Sequence, residues 1–267
     1  MTCAKCRTKY ELRLGIPILI DLTKISAHLQ KQINYFNEED ARREGYCLEA
    51  WQQRYIENYL SRAGLKEGSL VIDNATGSGY FAIELAKRHM KVIATDLTFN
   101  ELFKLRRIAK KLGLEESILA LCCSSEELPI KNGIADGLVA NAILEHLPRE
   151  NQAIAEIHRV LKSGARVMVA MPLAYHLLWP LLIIPNWLHD RRIGHLRRYT
   201  KERILEKFGR FREITTYYTG SLPKVICLAL YILTGNSRWN NFAEILDEKF
   251  MHIKYGASNI VMILSKI

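Results

Sequence analysis

Leu70-Val-Ile-Asp-Asn-Ala-Thr-Gly-Ser-Gly-Tyr-Phe-Ala82 reads as a strand, a glycine turn and the start of a helix. Leu70, Val71 and Ile72 form a short apolar, β-branched run suited to a parallel strand buried on both faces. Gly77 and Gly79 let the following turn take positive φ and bring its backbone close to a ligand, while the helix beyond points its first amides at the same spot. This combination marks a nucleotide-type cofactor site.

The next strand, Lys91-Val-Ile-Ala-Thr-Asp96, ends in an acid 23 positions after Asp73. A carboxylate there can accept hydrogen bonds from both hydroxyls of a ribose. A pyrophosphate fingerprint needs a third glycine, and none follows Gly79 at the required spacing. Asp73, just before the turn, is expected to repel a phosphate and attract a cation. The pattern therefore suits a cationic cofactor that carries a ribose.

With these residues in view, the chain resembles the class I S-adenosylmethionine-dependent methyltransferases over most of residues 49–267. Four blocks carry the resemblance in order. Val71 to Gly79 looks like the cofactor loop and, with Ala75 for the usual first glycine, is especially similar to the ubiquinone and menaquinone biosynthesis type; Ala94-Thr-Asp96-Leu97 is the second block. Cys123 to Pro129, followed by Asp136 to Leu147, looks like the adenine-side loop and the strand and turn that face the substrate. His158 to Ala170 resembles the helix, glycine turn and fifth strand. The resemblance implies S-adenosylmethionine as cofactor, held by Asp73, Ala75, Gly77, Gly79, Asp96, Leu97, Ser124, Ser125, Glu126 and Asn141. Two departures stand out. Ser124 replaces an Asp that the family carries in the adenine-side loop, and Ala75 is tolerable only where its φ stays negative.

Apolar and helical patterns alternate along the chain. Strands are expected near 70–73, 91–96, 118–122, 136–141, 165–171, 211–218 and 258–267, with helices between them. The fold class is α/β: a Rossmann-like, seven-stranded, mostly parallel sheet with helices on both faces and an antiparallel last strand. Resemblance implies the strand order 3-2-1-4-5-7-6. Residues 65–267 form the methyltransferase domain, with an apolar and basic insertion at 173–203. Residues 23–64 form a helical lid, in which the family places the cofactor and acceptor under helices; Tyr35 and Tyr46 are its candidate substrate-facing residues.

Residues 1–22 look like the second half of a small zinc-ribbon domain, with Cys3 and Cys6 as one Cys-x-x-Cys pair. A tetrahedral zinc site needs four ligands, so this is half a site. Three readings stay open: zinc within the chain, zinc shared between two chains, or a metal-free remnant that packs. No complete metal centre is assigned.

Methyl transfer from a sulfonium is an in-line displacement that depends mainly on positioning. An acceptor hydroxyl or thiol adds a need for a base, for which His146 and His195 are the candidates; Glu145-His146-Leu147 can equally serve only the turn. Residues 190–203 pack six Lys or Arg against two acids, and Arg198 and Tyr199 are candidates to hold an anionic acceptor beside the cofactor. Leu173 to Leu188 is too apolar for an ordinary loop, which leaves a buried helix, a subunit interface, an acceptor channel or a peripheral membrane contact.

The chain has 267 residues, a net charge of +10 and six scattered cysteines, enough for a large core and without a disulfide framework. No signal peptide or membrane span is evident, so a cytoplasmic enzyme is expected. The expected reaction is methyl transfer to a small or lipid-like, anionic acceptor. Basic charge and the half ribbon keep RNA as an alternative, against which Asn141-Ala-Ile-Leu lacks the Pro-Pro-aromatic motif of base-modifying enzymes. A cofactor-binding partner subunit is a further alternative, and the oligomeric state is left open.

Overall fold

A computed structural model describes residues 7, 9–20, 25–40, 46–236 and 238–267. Cys3 and Cys6 lie outside the described residues, and with them the half zinc site.

The chain begins with the hairpin β1 (Glu11–Arg13) and β2 (Ile16–Ile18), then α1 (Ala27–Asp40) and α2 (Ala50–Ala63). The αβ alternation follows: β3 (Leu70–Asn74), α3 (Tyr80–Lys87), β4 (Lys91–Asp96), α4 (Phe99–Lys111), β5 (Ile118–Cys122), β6 (Ala135–Asn141), α5 (Glu150–Val160) and β7 (Leu161–Pro172). The last part holds α6 (Pro180–Ile193), α7 (Lys201–Lys207), β8 (Phe211–Thr219), α8 (Leu222–Thr234), α9 (Arg238–Lys249) and β9 (Asn259–Lys266).

One nine-stranded sheet runs β1-β2-β5-β4-β3-β6-β7-β9-β8. This corrects the expected seven strands in number and full order, because the β1–β2 hairpin extends the sheet past β5. Ile18 pairs in parallel with Cys122, and Ile16 and Ile18 bury themselves against Leu102 of α4. The Arg106 guanidinium of α4 donates to the Leu14 carbonyl at 2.6 Å and so holds the hairpin's tip. The strands beyond the hairpin run β5-β4-β3-β6-β7-β9-β8, with β9 antiparallel to both neighbours.

Burial on both faces explains the uninterrupted apolar strands. Alternate residues of β3 enter different cores: Ile72 packs with α5 and α7 residues such as Ile157 and Ile204, Val71 with Ile56, Phe81 and Ile108 of α2, α3 and α4. Between them these helices cover both faces. Thr200 caps α7 by accepting from the Arg203 amide, and Gly64 ends α2 in the left-handed conformation.

The apolar stretch after β7 departs from the buried-helix expectation. Pro180 starts α6, and Leu181 and Ile184 remain 77% and 69% exposed. The α8 helix likewise leaves Ile232 and Leu233 79% and 80% exposed. Only Leu182 and Ile193 anchor the apolar side of α6.

Gly137 in β6 faces the buried Tyr59 of α2, whose hydroxyl donates to the Arg166 carbonyl at 3.2 Å. A Cβ at 137 would meet that hydroxyl directly. Gly137→Ala should therefore cost about 1–3 kcal/mol in urea unfolding. Adding Tyr59→Phe should recover part of the loss, and strictly additive losses would contradict this packing.

Candidate functional site

The turn between β3 and α3 is built around a buried carboxylate. Asp73 Oδ2 accepts the Thr76 hydroxyl and the Ala82 amide, the latter at 3.0 Å, so one group ties strand, turn and helix together. Burial pushes its pKa up to about 7, against the pull of those two hydrogen bonds. Asp73 thus faces the turn and does not line the cavity, whereas Asp96 does. Asp96 Oδ2 accepts the Gly77 amide at 2.9 Å and Oδ1 the Thr98 amide at 2.7 Å. Burial raises its pKa as well.

The backbone is left-handed at Gly77 and Gly79, and also at Ala75, where φ is +58. That corrects the expectation of a negative φ at Ala75; the conformation costs a non-glycine residue about 1–2 kcal/mol. Ala142, just past β6, is left-handed too, with φ +52. Strain of this kind gathers at functional sites. Gly79 needs its missing side chain, since a Cβ would fall 2.5 Å from Leu105 Cδ1.

A cavity of about 520 Å³ opens at the carboxyl ends of β3, β4 and β6, where the strand order reverses direction. Its floor is Ala75 to Ser78, Asp96 to Thr98, Ser124, Ser125 and Asn141. Leu29, Ile33, Tyr35 and Phe36 of α1 and Trp51 of α2 cover it, and α6 closes the side with Asn186, His189 and Ile193. His146, His195 and Arg198 complete the wall.

The structure thus brings eleven expected residues to one cavity: Ala75, Gly77, Asp96, Leu97, Ser124, Ser125, Asn141, His146, His195, Tyr35 and Arg198. Asp73, Gly79, Glu126, Tyr46 and Tyr199 are not among its lining. Glu126 is buried and accepts the Arg149 amide at 2.6 Å, pinning the loop after β5 to α5. Tyr46 donates to Glu84 of α3 at 3.0 Å, and Tyr199 is buried with its hydroxyl on Glu150 at 2.6 Å.

A polar network supports the histidines. Asp190, at the end of α6, accepts Arg198 Nε at 2.6 Å and Tyr175's hydroxyl, and its Oδ1 lies 2.8 Å from His195 Nδ1. Although burial opposes it, this set of partners holds the Asp190 carboxyl well below the usual range. His195 Nε2 then faces Glu145 Oε1 at 3.8 Å, and the His146 ring lies edge-on at 4.7 Å. Burial, with the charge on the neighbouring histidines, pushes His146 down to about 3 and keeps it neutral. His28 Nε2 is 2.9 Å from the His146 carbonyl, and Gln32 donates to the Ile193 carbonyl at 2.5 Å, seating α1 over the cavity.

Sequence reading missed Glu145, Asp190, Gln32, Trp51 and Tyr80. Asn141 Nδ2 donates to the Tyr80 hydroxyl at 2.9 Å, a contact across 61 positions that no local pattern reveals. Asp190 alone left a signal, standing five residues before His195 at a helix end.

Comparison with known proteins agrees with this geometry. Residues 72–169 match the family described as a methyltransferase domain. An uncharacterized chloroplastic methyltransferase of Arabidopsis thaliana is 32% identical over 137 residues, 49% of this chain and 38% of that protein. A ubiquinone/menaquinone biosynthesis C-methyltransferase of Burkholderia vietnamiensis is 29% identical over 145 residues, 49% of this chain and 57% of that protein. The chain thus spans well under two thirds of either relative. Geranyl diphosphate C-methyltransferase from Streptomyces coelicolor superposes with a TM-score of 0.68 at 10% identity, over 91% of this chain and 99% of that one. The cyclase SpnF superposes at 0.61 with 18% identity, over 90% and 95%. Identities this low establish the fold alone, and one fold serves more than one chemistry. Residues 72–169 thus match a methyltransferase domain, and the chain shares the Rossmann-like fold of these solved structures.

Glu145 is fully enclosed, and burial, helped by the nearby Asp190 charge, pushes its pKa up to about 8 from an ordinary 4.5. The folded state then keeps a proton that the unfolded chain has released, so stability falls as pH rises through this window. Between about pH 6 and 8 the loss is about 2 kcal/mol. In metal-free buffer, Glu145→Gln should gain that amount on wild type across the same range in urea unfolding. Parallel pH profiles for the two proteins would contradict it.

Proposed function

We propose that this protein transfers a methyl group from S-adenosylmethionine to a small or lipid-like acceptor. The observation that carries the reading is Asp96, which stands at the end of β4 on the cavity floor with Gly77 bound to one of its oxygens. A carboxylate so placed suits ribose hydroxyls, and the adjoining Ser124 and Ser125 suit the adenine side. The cofactor supplies an activated methyl group, so the chain's task is to orient two molecules and exclude water.

The acceptor would lie under α1, against Leu29, Ile33, Phe36 and Ile143. Its apolar wall favours an apolar body for the acceptor. Asp190 beside His195 Nδ1 favours the tautomer whose Nε2 lone pair faces inward, the arrangement of a general base oriented by a third group. His146 packs against it as a neutral edge. An anionic acceptor would find Arg198, although Asp190 already neutralises that guanidinium. Among the described residues no helix is long and apolar enough to cross a membrane. The exposed Leu181, Ile184, Ile232 and Leu233 support instead a peripheral contact through which a lipid-like acceptor could enter.

Calorimetric titration with S-adenosylmethionine tests the cofactor half. The wild type should bind, and Asp96→Ala should weaken binding by about 1–3 kcal/mol, about 5- to 150-fold. Absence of binding by wild type would overturn the reading. For the acceptor half, flotation with anionic liposomes should fall on Leu181→Asp with Ile184→Asp; unchanged flotation would remove the membrane contact.

A further inference from the structure

Beside the floor where the cofactor is proposed to sit, one corner of the cavity holds three groups with metal-binding chemistry. One donor atom each from Glu145, His146 and His195 lies within 4.8 Å of the others. We infer that Glu145, His146 and His195 form a binding site for a divalent transition-metal ion. Two imidazoles and a carboxylate are the donor set of three-ligand zinc sites and of the facial triad, both of which leave positions open for a further ligand. Ligand bonds of about 2 Å place donors roughly 3.4 Å apart in a tetrahedron, so small side-chain rotations close the site.

Three independent features point to an ion. Glu145 and His146 are only 1% and 6% exposed, and the buried atoms Glu145 Oε2 and His146 Nδ1 have no hydrogen-bond partner among the described residues. Polar atoms so enclosed are costly to leave unmatched, and a cation would match both. His195 carries the support that metal-bound histidines need: Asp190 takes its Nδ1 side at 2.8 Å, which turns Nε2 towards Glu145. Asp190 is in turn held by Arg198 and Tyr175. The corner also belongs to the cavity wall, so an acceptor has access to the open position.

The ion would take an oxygen of the acceptor and supply the positive charge that Arg198, neutralised by Asp190, does not. That use rests on the methyl-transfer reading, whereas binding of the ion does not. In the loaded protein His195 Nε2 is a ligand and no longer a base, and activation of the acceptor oxygen passes from it to the metal.

The test uses the full chain with Cys3→Ser and Cys6→Ser, which removes the N-terminal thiols as rival ligands. After chelator treatment it is titrated with zinc by calorimetry and with cobalt by visible absorption. One equivalent should bind, without thiolate-to-cobalt charge-transfer absorption. Glu145→Gln should abolish binding or weaken it at least as much as Asp190→Asn, for which a 10- to 100-fold loss is expected, about the usual effect of removing a ligand's supporting carboxylate. Circular dichroism shows whether each variant folds, and Glu145→Gln, being nearly isosteric, remains informative if Asp190→Asn does not. No zinc binding by the chain with Cys3→Ser and Cys6→Ser, or undiminished binding by Glu145→Gln, would overturn the inference. Parallel titration with S-adenosylmethionine separates the two readings: cofactor binding without zinc removes only the metal site, and zinc binding without the cofactor removes only the methyl-transfer proposal.

Discussion

Asp73 sits beneath the turn from β3 to α3, where its Oδ2 accepts both the Thr76 hydroxyl and the Ala82 amide. The cavity depends on that carboxylate staying there. Its two bonds tie the end of a strand to the first turn of a helix, and the chain between them must pass through left-handed conformations at Ala75, Gly77 and Gly79. The same path delivers the Gly77 amide to Asp96 on the neighbouring strand. On the other side, β6 ends at the left-handed Ala142. Two adjacent strands whose chains turn away in opposite directions leave a gap between them, and the cavity occupies it.

Asp190 organises the opposite wall in a comparable way, with a different chemical result. Asp73 is buried with neutral donors and its pKa rises, whereas Asp190 has His195 and Arg198 and its pKa falls. The first carboxylate shapes backbone. The second fixes a guanidinium and an imidazole, and through His195 it sets the environment of Glu145 and His146. A cavity with a rigid floor and a polarised wall results, roofed by α1 through Gln32 and His28.

The parallel strands, the glycine turn and the acid at the end of β4 were legible in the sequence because each is a local pattern: an apolar run, a pair of glycines, a residue at a strand end. Other features arise only in three dimensions. Ile16-Pro17-Ile18 is too short to show a period, and it becomes a strand because Ile16 and Ile18 find Leu102 and the edge of β5. Ala75 gives no hint of positive φ; the buried Asp73 and Gly77's bond to Asp96 impose it. Glu145 comes from a different segment than Asp190 and His195 and meets them because Leu196 donates its amide to the Glu145 carbonyl at 2.8 Å. The apolar run after β7 left core, interface, channel and membrane contact open in the sequence, because its burial depends on α6, which meets the rest of the protein mainly through Leu182, Asp190 and Ile193.

On the proposed function, the gap between β3 and β6 is a cofactor cavity with Asp96 as its ribose acceptor. A crystal structure of the full chain with S-adenosylhomocysteine tests it most directly. The predicted result is product lying over Ala75 to Ser78, with its ribose hydroxyls on Asp96 and its base towards Ser124 and Ser125. Product bound elsewhere, or bound here with its ribose turned away from Asp96, would contradict the claim.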